Sequence, residues 1–124
     1  METILIIDDE ENLRETICEM LTFVGYEVHQ AENGLVGLDK IKQVMPDLIL
    51  CDIMMPVLDG YGFMKQHQHS KYSNIPVLFF SAKSEPKDIE EALTTGVKGY
   101  IKKPFLFTEL KKQIEFYLLS ENRL

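Results

Sequence analysis

The chain has 124 residues, 45% of them hydrophobic and 27% charged, the balance of one folded domain able to bury its own core. Thirteen Lys and Arg against 20 Asp and Glu give a net charge of −7, which disfavours direct binding to a nucleic-acid backbone. No apolar run approaches the roughly 20 residues of a membrane span, METILIIDDE is too short and too acidic for a signal peptide, and Cys18 and Cys51 make neither a disulfide framework nor a zinc motif, so a cytoplasmic setting is expected.

In chain order, short β-rich runs alternate with helical patterns. Ile4-Leu5-Ile6-Ile7 reads as a strand; Leu13, Ile17, Met20, Leu21 and Val24 then mark one face of a helix that Gly25 ends. Tyr26 to Gln30 alternates like a half-exposed strand, and Leu35, Leu38, Ile41 and Met45 return to helical spacing until Pro46. Leu48-Ile49-Leu50-Cys51 is a wholly apolar third strand, followed by a helix starting near Asp59 or Gly60 that carries Tyr61, Phe63 and Met64. Val77-Leu78-Phe79-Phe80 is the fourth strand, and the helix from Pro86, with Ile89, Ala92 and Leu93, stops at Gly96. Gly99-Tyr100-Ile101 is a brief fifth strand, and Leu110, Ile114, Tyr117 and Leu118 define a last helix ending near Leu119. Five β-α units in series predict an α/β fold, a doubly wound five-stranded parallel sheet with five helices on its two faces. The continuous apolar runs belong inside the sheet; the alternating second strand and the short fifth belong at its edges.

Ligands of such sheets lie beyond the carboxyl ends of the strands, where strand order reverses. Asp8 and Asp9 follow the first strand, Asp52 the third, Ser81 and Ala82 the fourth, and Lys103 and Pro104 the fifth. Two carboxylates about 4.5 Å apart repel by roughly 3–4 kcal/mol at an effective dielectric near 20, so either a pKa rises or a cation neutralises the cluster. Hard oxygen ligands without His or Cys favour Mg²⁺. With a lysine and a hydroxyl opposite, the arrangement suits phosphoryl transfer to a carboxylate, giving an aspartyl phosphate.

These residues resemble the motifs of the receiver domain of two-component response regulators, of the chemotaxis-regulator type. The matches are Asp8-Asp9, Asp52 followed by Met55-Pro56-x-x-Asp59-Gly60, Ser81-Ala82, and Lys103-Pro104-Phe105, in order along essentially the whole chain. The resemblance implies a single receiver domain over residues 1–124, a flavodoxin-like sheet order of 2-1-3-4-5, and Asp52 as phosphoacceptor from a histidine kinase or phosphotransfer protein. It implies Mg²⁺ on Asp8, Asp9, Asp52 and the backbone carbonyl of Met54, with Ser81 and Lys103 contacting the phosphoryl group. Ser81 and Tyr100 match the family's switch pair: on phosphorylation the hydroxyl moves toward the phosphate and the ring turns inward. That reshapes the face of the fourth helix, fifth strand and fifth helix for a downstream protein, an output domain or a homodimer partner. Such a domain signals, and assists its own phosphorylation and dephosphorylation, rather than acting as a metabolic enzyme.

The sequence departs from the common pattern at Ser81, where Thr is more frequent, and duplicates the lysine at Lys102; Lys103 is preferred because it directly precedes Pro104. Met54 and Lys83 match the positions that tune phosphoryl hydrolysis, and a bulky Met and a long Lys there favour a longer-lived phosphoform. A haloacid-dehalogenase-type phosphatase is disfavoured because Asp8-Asp9-Glu10-Glu11 lacks the second aspartate two positions on. A phosphorylation-independent pseudo-receiver would lack an acid, the lysine or the hydroxyl, and none is missing. His67 and His69, two apart on a helix, point away from each other and make a poor metal pair, and His29 is a surface residue of an edge strand. Cys18, Cys51, Phe79 and Phe80 are expected in the core. Lys98 and Gly99 precede Tyr100 where receivers that pair through the output face tend to carry acids; Tyr117, Leu118 and Leu119 offer an apolar patch instead. The chain is read as either a stand-alone regulator or a receiver excised from a larger protein.

Overall fold

The computed structural model describes residues 1–121. Along the chain it runs β1 (Thr3–Ile7), α1 (Glu11–Phe23), β2 (Glu27–Ala31), α2 (Gly34–Val44), β3 (Leu48–Asp52), α3 (Gly60–Gln68), β4 (Val77–Ser81), α4 (Pro86–Leu93), β5 (Gly99–Lys102) and α5 (Phe107–Glu121). All strand pairs are parallel, in the order β2-β1-β3-β4-β5. The expected elements are all present, with ends shifted by a residue or two. The most consequential shifts make Asp52 and Ser81 the last residues of their strands rather than the first of the loops.

Alternation along the inner strands divides the core into two layers. Ile4, Ile6, Leu48, Leu50, Leu78, Phe80 and Ile101 face one side, against Ile17 and Leu21 of α1 and Leu110, Ile114 and Leu118 of α5. Leu5, Ile7, Ile49, Cys51, Val77 and Phe79 face the other, against Ile41 of α2, Phe63 and Met64 of α3 and Ala92 of α4. Each of the larger side chains contributes about 1.5–3 kcal/mol by leaving water. Because both sheet faces are covered, β1, β3 and β4 read as unbroken apolar runs, whereas β2 is buried only at Ala31.

Local signals set the helix ends. Asn33 and Asp59 cap α2 and α3 by accepting from the N–H groups of Val36 and Gly62, at 2.9 and 2.8 Å. Pro86 opens α4, where the Asp88 carboxylate accepts from the Glu85 N–H at 3.3 Å. Gly25, at φ +109, supplies the positive dihedral that lets the chain turn from α1 into β2. α5 corrects one expectation: Leu118 is buried and Tyr117 packs over Gly99, so its exposed apolar residues are Phe116 and Leu119. Among the described residues no helix is long and apolar enough to cross a membrane.

Candidate functional site at the carboxyl edge of the sheet

The strand order reverses between β1 and β3, and there the ends of β1, β3, β4 and β5 bring the charged residues together. Asp8 is fully buried, Asp52 is 8% exposed and Asp9 is exposed; each offers a carboxylate oxygen within 4.8 Å of the others. The Lys103 ammonium lies 3.1 Å from Asp8 Oδ2 and 3.5 Å from Asp52 Oδ2. It also sits 4.7 Å from the centre of the Phe80 ring, which holds the lysine stem against the core and adds a cation–π attraction. Lys102 is exposed, so of the two adjacent lysines it is Lys103 whose ammonium meets the acids.

Backbone groups fix the two buried acids. Asp8 Oδ1 accepts from the Glu10 N–H at 2.8 Å, and Asp52 Oδ1 accepts from the Ile53 N–H at 2.8 Å. In each case one oxygen is held by the main chain while the other faces Lys103. Burial is the main influence on the Asp52 carboxyl and raises its pKa; the Lys103 charge opposes this, Asp8 adds to it, and the Ile53 N–H lowers it. Desolvation wins, so the site holds an acid whose ionised form calls for more positive charge than Lys103 supplies.

The loop between β3 and α3 is pressed against Asp52. Gly60 N–H donates to Ile53 O at 2.7 Å, and a Cβ on Gly60 would lie 2.7 Å from Asp52 O and 2.8 Å from Ile53 Cα. Glycine is therefore required for the close approach of α3, not only for a turn. The neighbouring Val57 has φ +69 although β-branched, and Leu58 N–H bonds back to Pro56 O at 2.7 Å. A rim cavity of about 470 Å³ opens beside Asp9, lined by Met54, Met55, Pro56, Asp59, Tyr61 and Lys83 among others. Met54 and Lys83, singled out from sequence, thus flank the same opening.

Ser81 is buried, with Oγ accepting from the Lys83 N–H at 3.2 Å. The half-buried Tyr100 donates its hydroxyl hydrogen to Lys83 O at 2.5 Å, so its ring is held inward over the β4–α4 loop. Burial raises the Tyr100 pKa, and the adjacent Ser81 hydroxyl works against that rise. Ser81 and Tyr100 therefore meet through Lys83, one on its N–H and the other on its carbonyl.

Two contributors were not legible as motifs. Arg14 on α1 donates from a guanidinium nitrogen to Asp8 O at 2.6 Å and from Nε to Gln30 Oε1 at 3.0 Å, tying β1, α1 and β2 together behind the acids. Tyr61 lines the rim cavity and packs edge-on to Phe79 at 5.8 Å, although its position on α3 reads only as an apolar helix residue. The histidines carry no metal arrangement. His67 is buried, stacked on Phe63, with Nε2 3.0 Å from Ile75 O, while His69 turns back to Lys65 O and His29 pairs with Glu27. Cys51 is buried and Cys18 partly so.

Comparison with known proteins gives the same picture at the level of whole domains. Residues 4–115 match the model of the response regulator receiver domain. A probable transcriptional regulator, ycf27, of Guillardia theta is 36% identical over 122 residues, covering 98% of this chain and 47% of that protein. The chain thus spans about half the length of that relative. The receiver domain of the Francisella response regulator 1452 superposes with a TM-score of 0.91 at 28% identity, covering 97% of this chain and 98% of that one. The response regulator TrrA of Thermotoga maritima, solved in complex with Mg(2+)-BeF, gives a TM-score of 0.84 at 32% identity, covering 95% of this chain and 99% of that one.

Proposed function

The chain belongs to the response regulator receiver domain family, and from that premise we propose that it is a working phosphoacceptor, modified on Asp52 by a histidine kinase or phosphotransfer protein. The observation that carries this is the convergence of Asp8, Asp9 and Asp52 with the Lys103 ammonium at the β1–β3 switch point. A domain that had lost phosphorylation would have no need of two buried acids held against one lysine.

In the reaction an Asp52 carboxylate oxygen attacks the phosphorus of a phosphohistidine. The new P–O bond forms as the P–N bond breaks, and the electron pair of that bond returns to the donor imidazole. Lys103 and the Ser81 hydroxyl donate hydrogen bonds to the phosphoryl oxygens, and the Ile53 N–H keeps the other Asp52 oxygen oriented. The donor set suits Mg²⁺: Asp8, Asp9 and Asp52 each offer a hard carboxylate oxygen, and these lie within 4.8 Å of one another. Asp8, Asp9, Asp52 and the Met54 carbonyl would hold it, and when bound it supplies positive charge to the transferring phosphoryl group. Met54 and Lys83 border the route by which water reaches the acyl phosphate, which favours a long-lived phosphoform.

The output is a change at Ser81 and Tyr100. In the unmodified chain Tyr100 already lies inward on the Lys83 carbonyl while Ser81 Oγ accepts from the Lys83 N–H. When Ser81 Oγ turns to the phosphoryl group it releases that N–H, and phosphorylation then shifts the balance further toward the inward ring. The face of α4, β5 and α5 then differs between the two forms, and a downstream protein, an output domain or a second copy reads it. Intact-mass spectrometry after incubation with acetyl phosphate tests the reading. One hydroxylamine-labile phosphoryl adduct that needs both Mg²⁺ and Asp52 is expected; a folded protein that stays unmodified, with acetyl phosphate and with a panel of phosphorylated kinases, refutes it.

A further inference from the structure

The Tyr61 hydroxyl is out of water and has no hydrogen-bond partner. Such a group is costly to bury, and its surroundings tie it to the switch. Tyr61 packs edge-on to Phe79, and Phe79 is the register partner of Tyr100, so the two rings on neighbouring strands share the face on which Tyr61 stands. Both tyrosines pack at the margin of the same core layer. Burial raises the Tyr61 pKa, and Glu91 and Asp88 of α4, the Tyr100 phenol and Asp59 add to the rise; none of them bonds its hydroxyl. Tyr100 meanwhile spends its own hydroxyl hydrogen on Lys83 O and has none to offer Tyr61.

We propose that Tyr61 is a positioning residue that opposes the switch: its hydroxyl is stranded without a partner when Tyr100 lies inward and is hydrated when Tyr100 swings out. Tyr100 stands beside Phe79, the ring Tyr61 packs on, so on this reading the inward ring closes that side of Tyr61 and its departure opens a path for water from the rim cavity that Tyr61 lines. The orphaned hydroxyl is therefore a cost carried by the inward form alone. It sets how much phosphoryl binding is needed to hold that form. This inference rests on the phosphoacceptor reading for its coupling to ligand, but not for the coupling between the two rings.

Tyr61→Phe keeps the ring and the contact with Phe79 while removing the stranded group. It should shift Tyr100 toward the inward position in the free protein, read by NMR as stronger proximity of the Tyr100 ring to the Ser81–Lys83 segment. It should also tighten binding of beryllium fluoride with Mg²⁺, measured by calorimetry, by at most about tenfold, the full cost of an unpartnered buried hydroxyl, and by less the more the free wild type already holds Tyr100 inward. In a Tyr100→Ala background the same substitution should leave that affinity unchanged, because no ring remains to cover the hydroxyl. An unchanged Tyr100 position in Tyr61→Phe overturns the inference, as does an equal gain in affinity with and without the Tyr100 ring, which marks a general effect on packing. Failure of the wild type to bind beryllium fluoride would refute the phosphoacceptor reading instead, and the NMR comparison would still decide the role of Tyr61.

Discussion

Removing the Lys103 charge is the perturbation whose size the site geometry fixes best. At an effective dielectric near 20, an ammonium 3.1 Å from Asp8 and 3.5 Å from Asp52 is attracted by about 5 kcal/mol to each, before solvation is counted. The two acids, no more than 4.8 Å apart, repel by at least about 3.5 kcal/mol on the same scale. Lys103→Met keeps the stem against Phe80 but leaves those carboxylates facing each other. Resolvating the lysine in the wild-type unfolded chain offsets much of the gross attraction, and breaking one partner out of a buried pair costs about 3–5 kcal/mol net. We take about 3 kcal/mol, since Lys103 is partly exposed, which for a domain of this size lowers the melting temperature by about 12 °C. Thermal unfolding followed by circular dichroism in EDTA measures this directly. Adding Mg²⁺ should then raise the melting temperature of Lys103→Met by more than that of the wild type, because metal and lysine serve the same oxygens. A variant that melts within about 3 °C of wild type in EDTA, or gains less from Mg²⁺, would refute the electrostatic reasoning.

Gly60→Ala drives a Cβ into Asp52 O and Ile53 Cα, both backbone atoms, so α3 must move; a loss of about 1–3 kcal/mol in urea unfolding and slower modification by acetyl phosphate are expected. Asp52→Asn should stabilise the fold at neutral pH. The folded-state pKa of Asp52 is raised, so its ionisation penalises the fold above that value, and the penalty vanishes once pH falls below the unfolded value. The gain in urea midpoint over wild type should therefore disappear in acid, and a destabilised Asn variant at neutral pH would contradict it. His67 has the opposite chemistry: burial lowers its pKa, so the unfolded chain takes up a proton first and stability falls as pH drops through the ordinary histidine range. His67→Phe keeps the stack on Phe63 and should flatten that part of the stability profile, measured by urea unfolding from about pH 7.5 to about pH 5.5.

Most of the fold was legible because each inner strand is covered on both faces and each helix on one, and these two conditions leave different periods in the sequence. The site was legible for a related reason: Asp8, Asp9, Asp52, Ser81 and Lys103 each lie at or just beyond a strand end, so naming the strands named the cluster. The sheet order was not derivable that way, since it follows from pairing between distant segments, and it came from family resemblance. Arg14 was missed because its guanidinium answers a backbone carbonyl, which leaves no mark in residue pattern. The demand for glycine at position 60 shows only when the approach of α3 to Asp52 O is measured. Tyr61 was read as packing because its ring does pack; what sets it apart is a missing partner for its hydroxyl, and no sequence records that. Of the apolar patch expected on α5 at Tyr117, Leu118 and Leu119, Leu119 is exposed as expected, while Leu118 is buried, Tyr117 is partly covered and Phe116 is exposed in their place, because helical phase decides which residues turn to the sheet.

Three carboxylates share the site, and the central claim is that one of them takes the phosphoryl group. Borohydride reduction of the acetyl-phosphate-treated protein converts an aspartyl phosphate to homoserine, and peptide mass spectrometry then reads the position. Homoserine at residue 52, formed only with Mg²⁺, is the predicted result. Homoserine at residue 8 or 9, or at 52 regardless of metal, would contradict the assignment of roles within the cluster.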